Sequence, residues 1–306
     1  MKHAFLIIAH NNWVQIKQVL EAMDYKDVDF YIHVNSKVDE PDKKEFQNLC
    51  NYSKIFFSDR VPIIWGDFGI CNASLVLLDC ARKNKEYDYY HLLTGSCLPL
   101  LSMCNLDKWF EKNRYENLSK SKMTNYIEAS VASEEMSQRV SLYNFCVPLW
   151  GNKNAFIRKI GTGTDHLLRI IQKLIGVNRF KSDQIVIYKG SPWWSLSNEF
   201  VEYVISKKQW IEERFSKNTF AADEYAIQTV LMNSVFRDTV FEPQNGENKN
   251  LRLIDFNGGN GYGSPRIWKI KDKERINTTT NLFARKFDMR IDEDIIDMVL
   301  EKIKEN

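Results

Sequence analysis

Residues 3–23 read HAFLIIAHNNWVQIKQVLEAM, and the change of period inside them sets the fold. The first seven residues form an unbroken apolar run, whereas Trp13, Ile16, Val19, Leu20 and Met23 recur at helical spacing. Strand then helix is repeated downstream: VDFYIHV (28–34) and a polar helix DKKEFQNL (42–49), then KIFFSD (54–59) and VPIIW (61–65) as strands. The buried helix CNASLVLLDCARKN (71–84) and the strand DYYHLLT (88–94) follow. Short apolar strands separated by helices predict an α/β fold around a doubly wound, mostly parallel, twisted sheet flanked by helices. Ligands of such sheets bind at the carboxyl ends of the strands. Here those ends are 9–12, 35–37, 65–67 and 94–97.

Beyond about residue 120 the alternation loosens. YIEASVA (126–132) is followed by a polar helix EEMSQRVSLY (134–143), and the stretch near 147–183 yields no firm reading. QIVIYK (184–189) and SPWWSLS (191–197) read as strands, NEFVEYVISKK (198–208) and DEYAIQTVLMNSV (223–235) as helices. NLRLIDF, a glycine-rich loop, NLFARKFD and a helix DEDIIDMVLEKI complete the chain. No repeat, low-complexity linker or charge block divides it, so residues 1–306 are expected to form a single domain.

A chain of 306 residues with 44% hydrophobic content is long enough to bury a large core. Its 42 basic and 40 acidic residues leave a formal charge of +2, without the concentrated positive field that nucleic-acid binding requires. Any anion site must be local. The six cysteines form no CxxC pair, which favours reduced core thiols over a disulfide frame or a zinc site. The N-terminal run AFLIIA falls far short of the ~20 residues of a membrane span. A cytoplasmic enzyme is expected, one that can rest peripherally at the inner face of the cell membrane.

Several motifs need weighing against bland alternatives. Asp223 and Glu224 stand side by side at the mouth of an apolar helix, FAADEYAIQTVL. An N-cap at Asp223 with Glu224 in the first turn accounts for them locally, although Ala226 leaves a capping box incomplete. GGNGYG (258–263) precedes no helix and lacks the context of a phosphate-binding fingerprint. The DFG of residues 67–69 has no kinase partners. Metal-dependent nucleotide-sugar enzymes hold a divalent ion with a D-x-D at a central strand end, but the corresponding HLLTGSCLPL carries no acid. The D-x-D matches at 27–29 and 292–294 suit capping and surface charge. His33 and His91 suit the core, while His10 at a strand end keeps functional weight. No nucleophile elbow argues for hydrolysis. Trp193 and Trp194, adjacent on a strand, point to opposite faces, leaving at least one for stacking on a sugar or for the core.

Taken in order, LIIAHNN, YIHVNSK, IIWGDFGICNASLVLL, YDYYHLLTGSCLPL, GSPWWSLSNEFVEYV, DEYAIQTVL, LRLIDF and LFARKFD resemble glycosyltransferase family 14. That family comprises the core-2/I-branching β-1,6-N-acetylglucosaminyltransferases and the peptide O-xylosyltransferases, with many bacterial relatives. The resemblance runs from about residue 3 to 300 and implies a GT-A-like fold, with a nucleotide-binding half (1–120) and an acceptor-binding and catalytic half (121–306). It implies an inverting transfer from a UDP-sugar, N-acetylglucosamine favoured over xylose or another hexose, with no divalent metal or other cofactor. The acceptor would be a glycan or a lipid-linked oligosaccharide, in bacterial surface-polysaccharide assembly. Glu224 falls on the family's general base, and Arg252 and Lys286 on the two cations that neutralise the departing diphosphate. His10, Asn35, Trp65 and Gly66 fall on nucleoside contacts. Asn35 replaces an aspartate there, and an amide still offers donor and acceptor to a uracil edge. Asp223, Trp193, Trp194, Glu128 and Arg139 are the expected acceptor-binding or positioning residues. A relative that binds nucleotide-sugar or glycan without turnover is the alternative, disfavoured by the joint presence of Glu224, Arg252 and Lys286.

Overall fold

The computed structural model describes residues 1–305 apart from 151, 153, 258 and 260–263. Strands β1 (His3–Ala9), β2 (Val28–Val34), β3 (Lys54–Phe57) and β4 (Tyr89–Thr94) are parallel, and β8 (Ser195–Ser197) joins antiparallel, in the order β3-β2-β1-β4-β8. All seven residues of β1 are buried, because helices cover both faces of the sheet. This is why HAFLIIA is a continuous apolar run and not an alternating one. Phe5 and Ile7 pack with Ile16, Val19 and Leu20 of helix Trp13–Ala22 and Ile295, Ile296 and Val299 of the final helix Asp294–Glu305. Leu6 and Ile8 pack on the opposite face, with Leu75 and Leu78 of helix Gly69–Asn84 and Phe200 of helix Asn198–Ser206.

A second sheet, β5 (Cys97–Pro99), β10 (Phe283–Arg285) and β9 (Arg252–Ile254), has the order β5-β10-β9, with Arg285 opposite Cys97. Because β5 follows β4 after two residues, this small sheet delivers the end of β10 to the carboxyl end of β4. A short pair, β6 (Ser130–Val131) and β7 (Tyr188–Lys189), completes the strands.

Some elements differ from expectation. VPIIW forms no strand: its backbone is held by side chains, with Val61 N donating to His33 Nε2 (2.9 Å) and the Asn35 amide bonding Ile63 N and O (3.1 and 3.2 Å). QIVIYK and SPWWSLS shorten to the strands Tyr188–Lys189 and Ser195–Ser197. DEYAIQTVLMNSV begins in a 3-10 turn, Ala222–Glu224, before helix Ala226–Met232, and no side chain caps either one. The N-cap role expected of Asp223 is therefore not seen. The unread stretch contains a 20-residue helix, Ala155–Leu174. The glycine-rich segment 258–263 lies, Gly259 apart, outside the described residues.

Candidate active site

The two acids are placed by backbone geometry. Ala221 adopts a left-handed conformation (φ 56°), and its N–H donates to Gly66 O (2.8 Å) while Glu224 N closes the turn on Ala221 O (2.9 Å). Gly66 itself has φ +81°, and a Cβ there would lie 2.7 Å from the Phe220 ring. On the other side, Gly190 N donates to Glu224 O (2.9 Å), and a Cβ at Gly190 would stand 1.8 Å from Glu128 O. Only glycine permits such approaches at 66 and 190. Gly66 thus shapes the acid turn.

Glu224 pairs with Lys189 Nζ at 3.0 Å and with Arg139 Nη1 at 3.8 Å. Arg139 also stacks on Phe220, with Cζ 5.0 Å from the ring. Asp223 is half-buried, and its carboxyl is raised to about 7, first by burial and then by the charges of Glu224 and Asp67. Burial likewise raises Glu128, against the Ser191 N–H and the charges of Arg252 and Lys189. The turn walls two clefts at once. One of about 700 Å³ brings Glu224, Asp223, Glu128, Trp65, Trp193 and Arg285 together; one of about 330 Å³ holds Arg139, Phe220, Gly66 and the same two acids.

A third hollow, about 100 Å³, opens at the carboxyl ends of β1 and β4 and gathers His10, Arg285, Lys286 and Arg290. His10 there is lowered first by burial and then by the positive charges of Lys286, Arg285 and Arg290. Lys286 is also lowered, by burial and then by Arg285. Arg290 is engaged by Asp288 (2.7 Å). Arg285 borders both this hollow and the large cleft. Its guanidinium bonds the hydroxyls of Thr94 and Ser96, and lies 4.6 Å from the Trp193 ring.

Four residues expected at the site stand differently. Arg252, 1% exposed, donates to Ser195 Oγ (2.9 Å), Trp194 O (2.7 Å) and Asn250 O, and burial lowers it to about 9. It borders the large cleft but its Nη1 and Nη2 are committed to the interior, so it acts as a buried tie between β9 and β8. Trp194 is 1% exposed and belongs to the core; Trp193, at 7%, has a face covered by Arg285. Neither is an open stacking platform. Asn35 uses both ends of its amide on Ile63. Of the four expected nucleoside residues, His10 stands in the cationic hollow and Trp65, 51% exposed, at the rim of the acid clefts.

Sequence reading missed Arg285 and Lys189. Arg285 had a signal, since it precedes Lys286 in FARKFD; Lys189, at the end of a short strand, had none. The D-x-D acids serve the scaffold: Asp29 accepts from Tyr87 OH (2.7 Å) and Lys54 N (2.8 Å), and Asp292 accepts from Ile295 N (3.2 Å). All six cysteines are free. Among the described residues no group of three or more His, Cys, Asp or Glu is arranged to hold a metal ion, and no helix is long and apolar enough to cross a membrane.

The molecule is thus an α/β protein whose mostly parallel sheet carries a cationic hollow at its strand ends, beside a cleft lined by the acid turn. The chain matches the family model of the Core-2/I-Branching enzyme over residues 3–278 and belongs to that family. It is similar to Xylosyltransferase 2 of Homo sapiens, 23% identical over 327 aligned residues, covering 97% of this chain and 33% of that protein. It is also similar to Xylosyltransferase 1 of Pan troglodytes, 24% identical over 321, covering 96% and 30%. The chain spans about a third of the length of these curated relatives (33% and 30%). Among solved structures, mouse xyloside xylosyltransferase 1 in its apo form aligns with a TM-score of 0.38 at 8% identity, covering 92% of this chain and 96% of that one.

Proposed function

We propose that the chain is an inverting glycosyltransferase that moves a sugar from a UDP-sugar to a hydroxyl of a glycan or lipid-linked oligosaccharide, without a divalent metal. The observation that carries this reading is that Glu224 and Arg285 line the same large cleft, while Arg285 also borders the adjoining cationic hollow with Lys286. The diphosphate would lie against Arg285 and Lys286 at the strand ends, with the transferred sugar in the large cleft. Glu224 borders both clefts, so an acceptor hydroxyl entering beside Arg139 meets it opposite the leaving group.

Glu224 then removes the hydroxyl proton as the oxygen attacks the anomeric carbon. The bond to the β-phosphate oxygen breaks on the far side, and configuration inverts. Negative charge grows on that phosphate where two fixed cations already stand, which is the work a divalent ion does in metal-dependent enzymes. Glu128 and Arg139 hold the acceptor, Trp65 supplies an exposed ring at the rim of the sugar and acceptor clefts, and His10 stands beside the phosphates. Family membership and the names of the relatives support N-acetylglucosamine or xylose as the sugar. We place the enzyme at the cytoplasmic face of a membrane, in polysaccharide assembly.

The test is UDP release from a panel of UDP-sugars in EDTA, with and without acceptor glycans, for wild type and Glu224→Gln. Release in EDTA from one sugar, abolished by the substitution, is expected. A requirement for Mn²⁺ would sink the two-cation reading, and equal turnover by Glu224→Gln would move the base elsewhere.

A further inference from the structure

Helix Ala155–Leu174 is built inside out. At the centre of the side it turns to the protein the buried residues are small or polar, with Ile157 and Leu168 half-buried at its edge. Gly161 sits against Leu149, where a Cβ would come within 2.7 Å. Buried Asp165 accepts from Phe145 N (2.8 Å) and Cys146 N (2.9 Å), and buried Gln172 bonds Tyr143 N (2.8 Å) and O (2.9 Å). The side it turns to solvent is apolar. Phe156, Ile160, Leu167, Ile171 and Leu174 follow one another at spacings of 4, 7, 4 and 3, a single stripe on a 3.6-residue helix. Phe156 is 70% exposed, Leu167 58% and Leu174 81%, and Ile170 and Ile175 widen the stripe. A helix that packs on a globular core normally shows the reverse arrangement. A contiguous exposed apolar face of this kind marks a surface meant to be covered.

Charge says by what. The helix carries Arg158, Lys159, Arg169 and Lys173, and its one acid, Asp165, is buried. Lys159, His166 and Lys173, spaced by seven, run as an exposed row beside the stripe. An apolar stripe flanked by cations matches the interface of an anionic bilayer, where the stripe enters the acyl boundary and the lysines reach headgroup phosphates. The helix is about 30 Å long, enough to lie in the interface plane. It is also tied to the candidate site: Trp150, beside Gly161, packs its ring tilted against Phe220 with centroids 4.7 Å apart, and Phe220 lines the smaller cleft.

We infer that helix Ala155–Leu174 binds this chain to anionic lipid membranes, with its apolar stripe as the inserting surface. The binding stands on the helix alone and does not depend on the glycosyltransferase reading; together they bring the acceptor cleft to a membrane-borne acceptor. The test is flotation of the full chain with phosphatidylcholine vesicles, with or without phosphatidylglycerol. Wild type is expected to float with the anionic vesicles, less so in high salt. Leu167→Ser/Ile171→Ser should lower binding at least about tenfold from lost apolar burial while leaving the melting temperature unchanged. Lys159→Glu/Lys173→Glu should remove the preference for phosphatidylglycerol. The inference falls if wild type ignores anionic vesicles at low salt, or if the stripe variant floats as wild type does. It also falls if, without lipid, wild type sediments as a dimer that the stripe variant splits, which would assign the stripe to a second copy of the chain. Loss of transfer activity with flotation intact would count against the proposed function and not against the membrane contact.

Discussion

Arg252 on β9 and Arg285 on β10 stand at opposite ends of neighbouring parallel strands in one small sheet, and they have opposite fates. Arg252 is enclosed, its guanidinium held by backbone carbonyls and Ser195. Arg285 is half-buried, borders two clefts and, with Lys286, adds positive charge that lowers His10 beyond what burial does. A buried cation whose terminal nitrogens are hydrogen-bonded contributes to the fold and costs dearly to remove, whereas a cation at a cleft wall remains able to meet an anion. The acids divide similarly: Asp29 is tied to Tyr87 and Lys54, while Glu224 stands between the clefts.

The largest effect should come from the open acid. Glu224→Gln is expected to slow glycosyl transfer by about 10²–10⁴-fold, the usual worth of a general base, with UDP affinity and thermal unfolding unchanged. Steady-state kinetics beside calorimetry check it, and a matching fall in melting temperature would place Glu224 with the structural charges. Arg252→Met should do the opposite. Loss of a buried, hydrogen-bonded charge is expected to cost about 3 kcal/mol in urea unfolding, because the carbonyls it satisfied are left without donors. A stable Arg252→Met protein that no longer binds UDP would break the contrast between the two arginines.

Next comes Arg285→Ala, expected to weaken UDP binding about 10–100-fold by titration calorimetry, as for a charge-assisted hydrogen bond, with little change in stability. Smallest is Asp223. Its folded carboxyl is raised to about 7, so below the ordinary carboxylate range the group is neutral in both states and contributes nothing. As pH rises through that range towards 7 the unfolded chain ionises first, and the fold loses stability. Asp223→Asn should therefore be more stable than wild type at pH 8 by on the order of 1–2 kcal/mol, and indistinguishable from it near pH 3. Urea melts at the two pH values decide it. An advantage that persists at low pH would mean the carboxyl is not held neutral by its surroundings.

Much of the sheet was legible because its signal is local. HAFLIIA, VDFYIHV and DYYHLLT are apolar enough to be strands in any context, and the helix beginning at Trp13 has its own period. VPIIW has the same look but bonds to His33 and Asn35, an arrangement that needs residues nearly thirty positions away. Helix Ala155–Leu174 was missed although Phe156, Ile160, Leu167, Ile171 and Leu174 carry a helical period; that this stripe faces outward is what no local pattern records. At the site, Glu224 and Lys286 were named from sequence, and both stand at clefts. Arg252 was named too, and packing removed it from reach; Arg285, one residue from Lys286, was passed over.

The order of apolar runs and helical periods along the chain determined an α/β sheet covered on both faces, since burying those runs leaves few other arrangements. It also placed the chain in its family, through motifs spread over most of its length. Tertiary structure alone decided which charges remain open. Arg252 is closed by Leu92 and Trp194, distant in sequence, and Arg285 is set between two clefts by strand pairing with Cys97. Whether a charge faces water or the interior depends on which distant segments fold over it, and no local pattern of residues records that.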